Sequence, residues 1–114
     1  FVIITNQGGI AKGIYSHKEV KAIHSFLRSF LADHGISILD FYYCPHHDDY
    51  GKCLCRKPGS LLLEKAAARF KADNGKSYFI GDKQRDFDAG VAAGVNSILI
   101  EVNDDLGKYL SQIV

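Results

Sequence analysis

The 114-residue sequence lacks several features that would assign it to a broad class of protein. It has no apolar run that approaches the roughly 18 residues of a membrane-spanning helix, and its start does not follow the pattern of a secretory signal peptide. Basic and acidic residues nearly cancel, leaving a formal net charge of +1, so no broad electrostatic field attracts nucleic acid or an anionic membrane. We therefore expect a cytoplasmic protein with neither nucleic acid nor a membrane as a partner.

Cysteine is also scarce, with three residues at positions 44, 53 and 55. An odd number of closely spaced cysteines is a poor disulfide framework. Clusters of this kind in proteins of reducing compartments more often bind metal. The cysteines therefore favour a metal site.

Strands and helices are predicted to alternate along the chain. Short apolar runs indicate strands at 1–5, 36–43, 77–80 and 96–102, the first of them buried on both faces. Helical periodicity indicates helices from Ser16 to Gly35, from about Ser60 to Asn74-Gly75, from Asp86 to Ala93, and from Asp105 to Val114. This order predicts an α/β fold with a parallel sheet and helices on both faces. We expect a single domain over 1–114.

Polar residues follow three of the predicted strands. Ligands of such sheets bind beyond the carboxyl ends of the strands, where Thr5-Asn6, Cys44 and Asp82 fall. After the first strand, the segment Thr5-Asn6-Gln7-Gly8-Gly9 combines a hydroxyl, backbone N–H groups and a flexible glycine pair, which suit phosphoryl oxygens. Taken alone, a polar turn is the simpler interpretation of this segment.

Two further segments carry charges suited to phosphate chemistry. Lys57 can place a compact positive charge against a phosphoryl group, and Arg56 can bind a second anion through its planar fork. Asp82 at the tip of a strand, with Asp86 four residues later, suits a hard cation such as Mg²⁺. The alternatives are two solvated charges before a helix, and an Asp86 that merely caps the next helix.

The irregular loop 44–55 contains two pairs of metal-binding side chains. Cys44-Pro45-His46 and Cys53-Leu54-Cys55 supply four ligands suited to a tetrahedral Zn²⁺. Four protein ligands close such a site, so we expect a structural zinc that stiffens the loop presenting Arg56 and Lys57. His47 is an alternative to His46.

Thr5-Asn6, Arg56-Lys57 and Gly81-Asp82, in this order, resemble the second, third and fourth motifs of the haloacid dehalogenase superfamily of phosphotransferases. The resemblance covers nearly the whole chain and implies the Rossmann-like fold of that superfamily. It implies that Thr5 and Asn6 hold the phosphoryl group, that Lys57 neutralises it, and that Asp82 binds Mg²⁺ with support from Asp86.

The zinc loop narrows the resemblance to the family of heptose 1,7-bisphosphate phosphatases and histidinol-phosphate phosphatases. Gly81-Asp82-Lys83 is more similar to the heptose branch, which implies removal of the 7-phosphate from a phosphorylated sugar. The resemblance implies that Gln7, Gly8, Arg56 and Lys83 surround this substrate together with Thr5, Asn6 and Lys57. Two positions depart from the usual pattern, with Gly8 in place of serine and Lys12 in place of arginine.

The aspartate pair that performs nucleophilic attack and acid–base catalysis in this superfamily has no counterpart in the chain. Asp86-Phe87-Asp88 sits at a helix start, whereas the family motif follows an early strand. The chain begins with Phe1 inside a strand, so we expect the nucleophile and its strand upstream of Phe1, and an inactive isolated fragment. The whole enzyme would form and hydrolyse an aspartyl-phosphate. A zinc-stabilised binding module without activity is the alternative from another class.

Overall fold

The predicted alternation of strands and helices is present in the structure. The computed structural model describes residues 1–113, which include the following helices and strands: β1 (Val2–Asn6), α1 (His17–Asp33), β2 (Asp40–Cys44), α2 (Leu61–Phe70), β3 (Tyr78–Gly81), α3 (Gln84–Ala93) and β4 (Asn96–Leu99). Short 3₁₀ helices cover Asp48–Tyr50, Asn74–Lys76 and Leu106–Gln112. Among these residues, no helix has both the length and the hydropathy to cross a bilayer.

The first of two units covers Phe1–Arg56 and is built on a parallel pair of strands. β1 runs alongside β2 with Val2 opposite Asp40 and Asn6 opposite Cys44. Parallel neighbours need a crossover connection, which α1 supplies. The buried apolar residues of this unit are Ile4, Val20, Ile38 and Cys44. The register places the carboxyl ends of both strands side by side.

Helix α1 begins and ends where the sequence predicts. The Ser16 hydroxyl accepts a hydrogen bond from the Glu19 N–H at 3.2 Å, which satisfies one of the unpaired donors of the first turn. At the other end Gly35 adopts a φ of +77°. The Ile36 N–H then donates to the Leu31 carbonyl at 2.9 Å. This glycine-terminated ending reverses the chain toward β2.

The second unit begins at Lys57 and repeats the same arrangement. β3 runs parallel to β4, with Tyr78 opposite Asn96 and Gly81 opposite Leu99, and α3 connects them. Its buried apolar residues are Leu62, Leu63, Ala66, Ala89 and Ile98. The cap at the end of α3 is Gly94, which has a φ of +81°. Both strand pairs therefore follow the βαβ pattern that the sequence predicts.

Two strands are shorter in the structure than the sequence predicts. β2 begins at Asp40 rather than at residue 36. β4 ends at Leu99 rather than at residue 102, since β3 ends at Gly81. Apolar runs show where a strand can form, while the length of the neighbouring strand decides how far the ladder extends.

Three predicted helix boundaries also differ from the structure. α2 stops at Phe70, because Lys71 takes a left-handed conformation with a φ of +52° and ends the helix early. α3 starts at Gln84, so Asp86 is its third residue rather than its cap. The final helix is 3₁₀ rather than α over Leu106–Gln112, and Val114 lies outside the described residues.

A close contact between α3 and β4 supports a test of this packing. A Cβ added at Gly90 would lie 2.0 Å from Ser97 Oγ and 3.2 Å from Phe79 Cβ. We therefore expect Gly90→Ala to lower the free energy of unfolding of the full protein by about 1–3 kcal/mol through overpacking. This outweighs the gain in helix propensity of about 1 kcal/mol. Chemical denaturation provides the measurement.

The matched control is Val91→Ala on the exposed side of the same helix, which should change stability by less than about 0.5 kcal/mol. Adding Ser97→Ala to Gly90→Ala should recover part of the loss, since it removes the nearest clashing atom. A Gly90→Ala variant more stable than the parent would contradict the packing described here.

Candidate functional site

The four predicted zinc ligands lie together at the end of β2. The ligand atoms of Cys44, His46, Cys53 and Cys55 are all within 4.8 Å of one another. Cys44 is the last residue of β2 and is fully buried. The chain then turns through a 3₁₀ helix that brings Cys53 and Cys55 back to the strand end. This set is called the Cys/His cluster below.

The distances within the Cys/His cluster suit a tetrahedral ion. The Cys44 sulfur lies 3.4 Å from His46 Nδ1, 3.6 Å from the Cys53 sulfur and 3.0 Å from the Cys55 sulfur. His46 Nδ1 is 3.2 Å from the Cys55 sulfur. Zinc–sulfur bonds of about 2.3 Å and zinc–nitrogen bonds of about 2.1 Å place tetrahedral ligands roughly 3.6–3.8 Å apart. The residues therefore fit Zn²⁺ in both chemistry and spacing.

His47, the alternative ligand, makes other contacts. Its Nδ1 accepts a hydrogen bond from the Asp49 N–H at 3.1 Å and lies 3.5 Å from the Asp49 carboxylate. Its ring faces Gly8, where an added Cβ would come within 2.9 Å of His47 Cδ2. Of the two neighbouring histidines, His46 therefore belongs to the Cys/His cluster.

Metal binding at the Cys/His cluster is coupled to the loss of thiol protons. Burial raises the pKa of the Cys44 thiol to about 12, and its hydrogen bond with Cys55 acts in the same direction. Burial also opposes ionisation of Cys53, but hydrogen bonds led by that of the Arg56 backbone outweigh it and lower the pKa of Cys53. Without a cation, Cys44 keeps its proton at neutral pH. Binding of a divalent metal must therefore displace that proton.

The Thr5–Gly8 segment is joined to the Cys/His cluster through the backbone. The Gln7 N–H donates to the Cys44 carbonyl at 2.7 Å, and the Ala11 N–H donates to the Pro45 carbonyl at 3.2 Å. Asn6 is the register partner of Cys44. The polar loop after β1 and the cysteine that ends β2 therefore form one continuous hydrogen-bonded edge, as the sequence predicts for neighbouring parallel strands.

Gly8 is buried where three groups approach it closely. An added Cβ would lie 2.9 Å from His47 Cδ2, 3.1 Å from the His46 carbonyl oxygen and 3.2 Å from Arg56 Nη1. These contacts account for the glycine at a position where the resembled family usually has serine. The space that a serine side chain needs is taken by the His47 ring and the Arg56 guanidinium.

Arg56 packs against the Cys/His cluster rather than extending into solvent. Its Nη1 donates to the His46 carbonyl at 3.3 Å, and its Nε lies 3.7 Å from the Asp48 carboxylate. The Arg56 side chain is 17% exposed and that of Asp48 is 82% exposed, so the ion pair is open to water and contributes little to stability. The enclosed guanidinium nevertheless has a defined position beside Gly8.

Tyr15, which the sequence motifs do not indicate, is hydrogen-bonded to the loop after β1. The Tyr15 hydroxyl donates to Gln7 Oε1 at 2.6 Å, and Gln7 Nε2 donates to the Thr5 hydroxyl oxygen at 3.1 Å. Tyr15 precedes the N-cap of α1 and belongs to none of the recognised motifs. Its spacing from Gln7 has no periodic signature, so only the folded loop reveals the contact.

In the second unit, Lys57 forms a buried ion pair with Asp86. The Lys57 Nζ lies 2.6 Å from Asp86 Oδ1, and the two side chains are 9% and 8% exposed. Asp86 Oδ1 has no hydrogen-bond donor in favourable angular geometry, so we regard the short contact as an ion pair rather than a directed hydrogen bond. Asp86 Oδ2 accepts the Lys83 N–H at 3.1 Å. Neither Lys57 nor Asp86 is a solvated charge.

The remaining predicted residues of this unit follow β3. Asp82 is exposed directly after the strand, and Lys83 is exposed at the start of α3. An added Cβ on Gly81 would lie 2.4 Å from Asp86 Cβ, so only glycine lets the strand end approach Asp86. The sequence also allowed Asp86 to act only as a helix cap. In the structure it does accept the Lys83 N–H at the start of α3, but from within the first turn and not from the cap position. Its pairing with Lys57 adds a second role.

Comparison with known proteins identifies relatives of this chain. The family described as HAD-hydrolase-like matches residues 54–107. D-glycero-alpha-D-manno-heptose-1,7-bisphosphate 7-phosphatase of Photorhabdus laumondii is 39% identical over 100 positions, covering 82% of this chain and 55% of the relative. D-glycero-beta-D-manno-heptose-1,7-bisphosphate 7-phosphatase of Rhodopseudomonas palustris is 35% identical over 118 positions, covering 98% of this chain and 65% of the relative.

A solved structure shows the same similarity in three dimensions. The crystal structure of D,D-heptose 1,7-bisphosphate phosphatase from B. bronchiseptica, complexed with magnesium and phosphate, superposes with a TM-score of 0.81 and 33% identity. The match covers 97% of this chain and 61% of that protein. The chain therefore spans between 55% and 65% of the length of these three proteins.

The buried Lys57–Asp86 pair can be tested by removing one charge. We expect Asp86→Asn to lower the free energy of unfolding of the full protein by about 3–5 kcal/mol, because the lysine would remain buried without its counter-charge. The measurement is equilibrium denaturation with urea.

Asp88→Asn is the matched control, since Asp88 lies on the same helix, is exposed, and accepts a hydrogen bond from Gln84 at 2.9 Å. It should change stability by less than about 0.5 kcal/mol. Equal effects of the two substitutions would mean that the Lys57–Asp86 pair does not stabilise the fold.

Proposed function

We propose that the protein is a haloacid-dehalogenase-like hydrolase, the family that matches residues 54–107, and that it removes the 7-phosphate from D-glycero-D-manno-heptose 1,7-bisphosphate by Mg²⁺-dependent hydrolysis. The observation that carries this proposal is the similarity to heptose bisphosphate phosphatases, which extends over 82% to 98% of the chain in two relatives. These relatives act on different anomers, so the proposal covers both. No observation on these residues favours histidinol phosphate or a non-catalytic module.

The loop after β1 supplies donors for the phosphoryl oxygens. We assign Thr5 and Asn6 to the transferring group, with Gln7 and Gly8 completing the loop around it. Their hydrogen bonds to the strand that ends at Cys44 hold this loop in place before substrate binds. Donors that are already oriented require little reorganisation as negative charge redistributes in the transition state. Positioning of this kind is the main contribution that proteins make to phosphoryl transfer.

Lys57 supplies the positive charge for the transition state in this proposal. Asp86 holds its ammonium group 2.6 Å away in a buried setting, where electrostatic interactions are stronger than in water. Asp82 would bind Mg²⁺, which neutralises phosphate charge when bound. We assign Arg56 and Lys83 to the part of the sugar phosphate that does not react. The nucleophilic aspartate, which becomes phosphorylated and is then hydrolysed, lies outside these 114 residues in this scheme.

The Cys/His cluster binds one structural Zn²⁺ in the same proposal. Four protein ligands leave no open position for substrate, so the ion contributes to structure rather than to the chemical step. It cross-links the end of β2 to residues 53–55, directly before Arg56. The ion would thereby hold Arg56 beside the loop that contains Gly8.

The activity is tested with the purified full protein and three phosphate esters: the two heptose bisphosphate anomers and histidinol phosphate. We expect chelation of Mg²⁺ to abolish phosphate release. Lys57→Met should lower kcat by about 10²–10³-fold with little change in KM, because its charge acts mainly in the transition state. Initial rates of phosphate release provide both constants.

Lys65→Met, an exposed position on α2, is the matched control and should retain the parental rate. A Lys57→Met effect confined to KM would make Lys57 a ground-state binding residue. Faster hydrolysis of histidinol phosphate than of either heptose ester would overturn the substrate assignment.

The zinc assignment is tested by comparing two neighbouring histidines. We expect one zinc per chain, and His46→Ala should weaken zinc affinity by more than the roughly 10–100-fold that loss of an outer-shell partner causes. His47→Ala should leave the zinc content unchanged.

The zinc affinity should also depend on pH. Because binding displaces protons from thiols, and burial raises the pKa of Cys44 to about 12, zinc affinity should fall as the pH is lowered. Metal analysis after dialysis and competition with a zinc chelator measure content and affinity.

Full zinc content in a Cys53→Ala, Cys55→Ala double variant would refute the site. Loss of zinc after His47→Ala, but not after His46→Ala, would assign the fourth ligand to His47 instead.

A further inference from the structure

Two hydrogen bonds connect Tyr15 to the hydroxyl of Thr5 through Gln7. The Tyr15 hydroxyl lies 2.6 Å from Gln7 Oε1, and Gln7 Nε2 lies 3.1 Å from Thr5 Oγ1. The shorter distance is typical of O–H···O bonds and the longer one of N–H···O bonds. The distances therefore orient the Gln7 amide with its oxygen toward Tyr15 and its nitrogen toward Thr5.

The Tyr15 ring is held in place by its surroundings. It lies against the backbone of Gly9, where an added Cβ would come within 2.2 Å of Tyr15 Cε1. The Ile14 N–H donates to the Gly9 carbonyl at 2.9 Å, which closes the loop just before Tyr15. Ser16, the next residue, caps α1. The helix start and the glycine contact together fix where the tyrosine hydroxyl can be.

The orientation of Gln7 determines what the Thr5 hydroxyl can do. A threonine hydroxyl has one hydrogen to donate and can accept through its lone pairs. Because Gln7 Nε2 donates to its oxygen, the hydrogen of Thr5 must point elsewhere. In this structure the Thr5 hydroxyl donates to the Asn6 carbonyl at 3.5 Å, a distance at the limit for a hydrogen bond. A phosphoryl oxygen is a stronger acceptor.

A reversed amide would have the opposite effect. Gln7 would then present its amide oxygen to Thr5, and the Thr5 hydroxyl would donate its hydrogen to that oxygen. Only the lone pairs of the Thr5 oxygen would be left to face the phosphoryl group. The Tyr15 hydroxyl could still accept a hydrogen bond from the reversed amide nitrogen. It would lose Gln7 Oε1, however, which is the acceptor of its own hydrogen in this structure, so Tyr15 disfavours the reversed state.

We propose that Tyr15 is a positioning residue that acts through Gln7 and orients the Thr5 hydroxyl as a donor to the phosphoryl group. The inference rests on the proposed function, since it takes Thr5 to contact phosphate. Tyr15 itself touches no reacting atom in this scheme.

The test compares Tyr15→Phe, Thr5→Val and the double variant in the full protein. We expect Thr5→Val to lower kcat/KM and inorganic phosphate affinity by about 10–100-fold, since it removes a hydrogen bond to a charged group. Tyr15→Phe should lower both by about 3–10-fold, because the amide can then reverse. The double variant should match Thr5→Val within about 2-fold, since Tyr15 acts through Thr5.

Tyr50→Phe is the matched control, because Tyr50 is an exposed tyrosine of the same unit. It should behave like the parent. Thermal melting establishes that each variant is folded, and phosphate affinity from calorimetry provides a readout that does not depend on turnover.

The outcomes separate this inference from the proposed function. Parental activity in Tyr15→Phe, or effects that multiply in the double variant, would overturn the positioning role while leaving the phosphatase proposal intact. Absence of heptose bisphosphate hydrolysis would overturn the proposed function. In that case, Thr5-dependent phosphate binding weakened by Tyr15→Phe would still support the inference. Phosphate binding that does not depend on Thr5 would overturn it.

Discussion

The parallel pairing of β1 with β2 is the constraint on which the first unit depends. It places Asn6 opposite Cys44, and the ladder continues past the strand end through the hydrogen bond from the Gln7 N–H to the Cys44 carbonyl. Backbone groups at the end of a buried strand need partners, because an unpaired buried group costs about 1–3 kcal/mol. The same hydrogen bonds that satisfy these groups bring the polar loop beside the Cys/His cluster. The backbone pairing that stabilises the strand ends therefore also positions the residues of the candidate site.

The neighbouring cations Arg56 and Lys57 are held in place by different groups. Arg56 donates to the His46 carbonyl in the first unit, and Lys57, the next residue, is paired with Asp86 in the second. Two adjacent cations are thus anchored by different partners. In isolation, a buried ion pair is weak evidence for stability, because desolvation offsets much of the attraction. Its clearer effect is to restrict where the Lys57 ammonium can be.

Glycine has a related role at three positions of these segments. The side chains of His47 and Arg56 pack closely against Gly8, the Tyr15 ring packs against Gly9, and Asp86 packs against Gly81. At each position a methyl group would collide with a side chain on which the candidate site depends. These glycines are required for close approach rather than for an unusual backbone conformation, since none of the three has a positive φ. Their conformational freedom is incidental to that role.

The sequence by itself determined the order of strands and helices, both ends of α1, and the segments that carry Thr5, Cys44, Lys57 and Asp82. Apolar periodicity and capping residues encode such local features directly. Tertiary structure alone decided where β4 ends, because ladder length depends on the neighbouring strand. It also decided the placement of Asp86 in the first turn of α3, its burial with Lys57, and the contact of Tyr15 with Gln7. These depend on side chains that are distant in sequence and meet through packing, for which a single sequence carries no periodic signal.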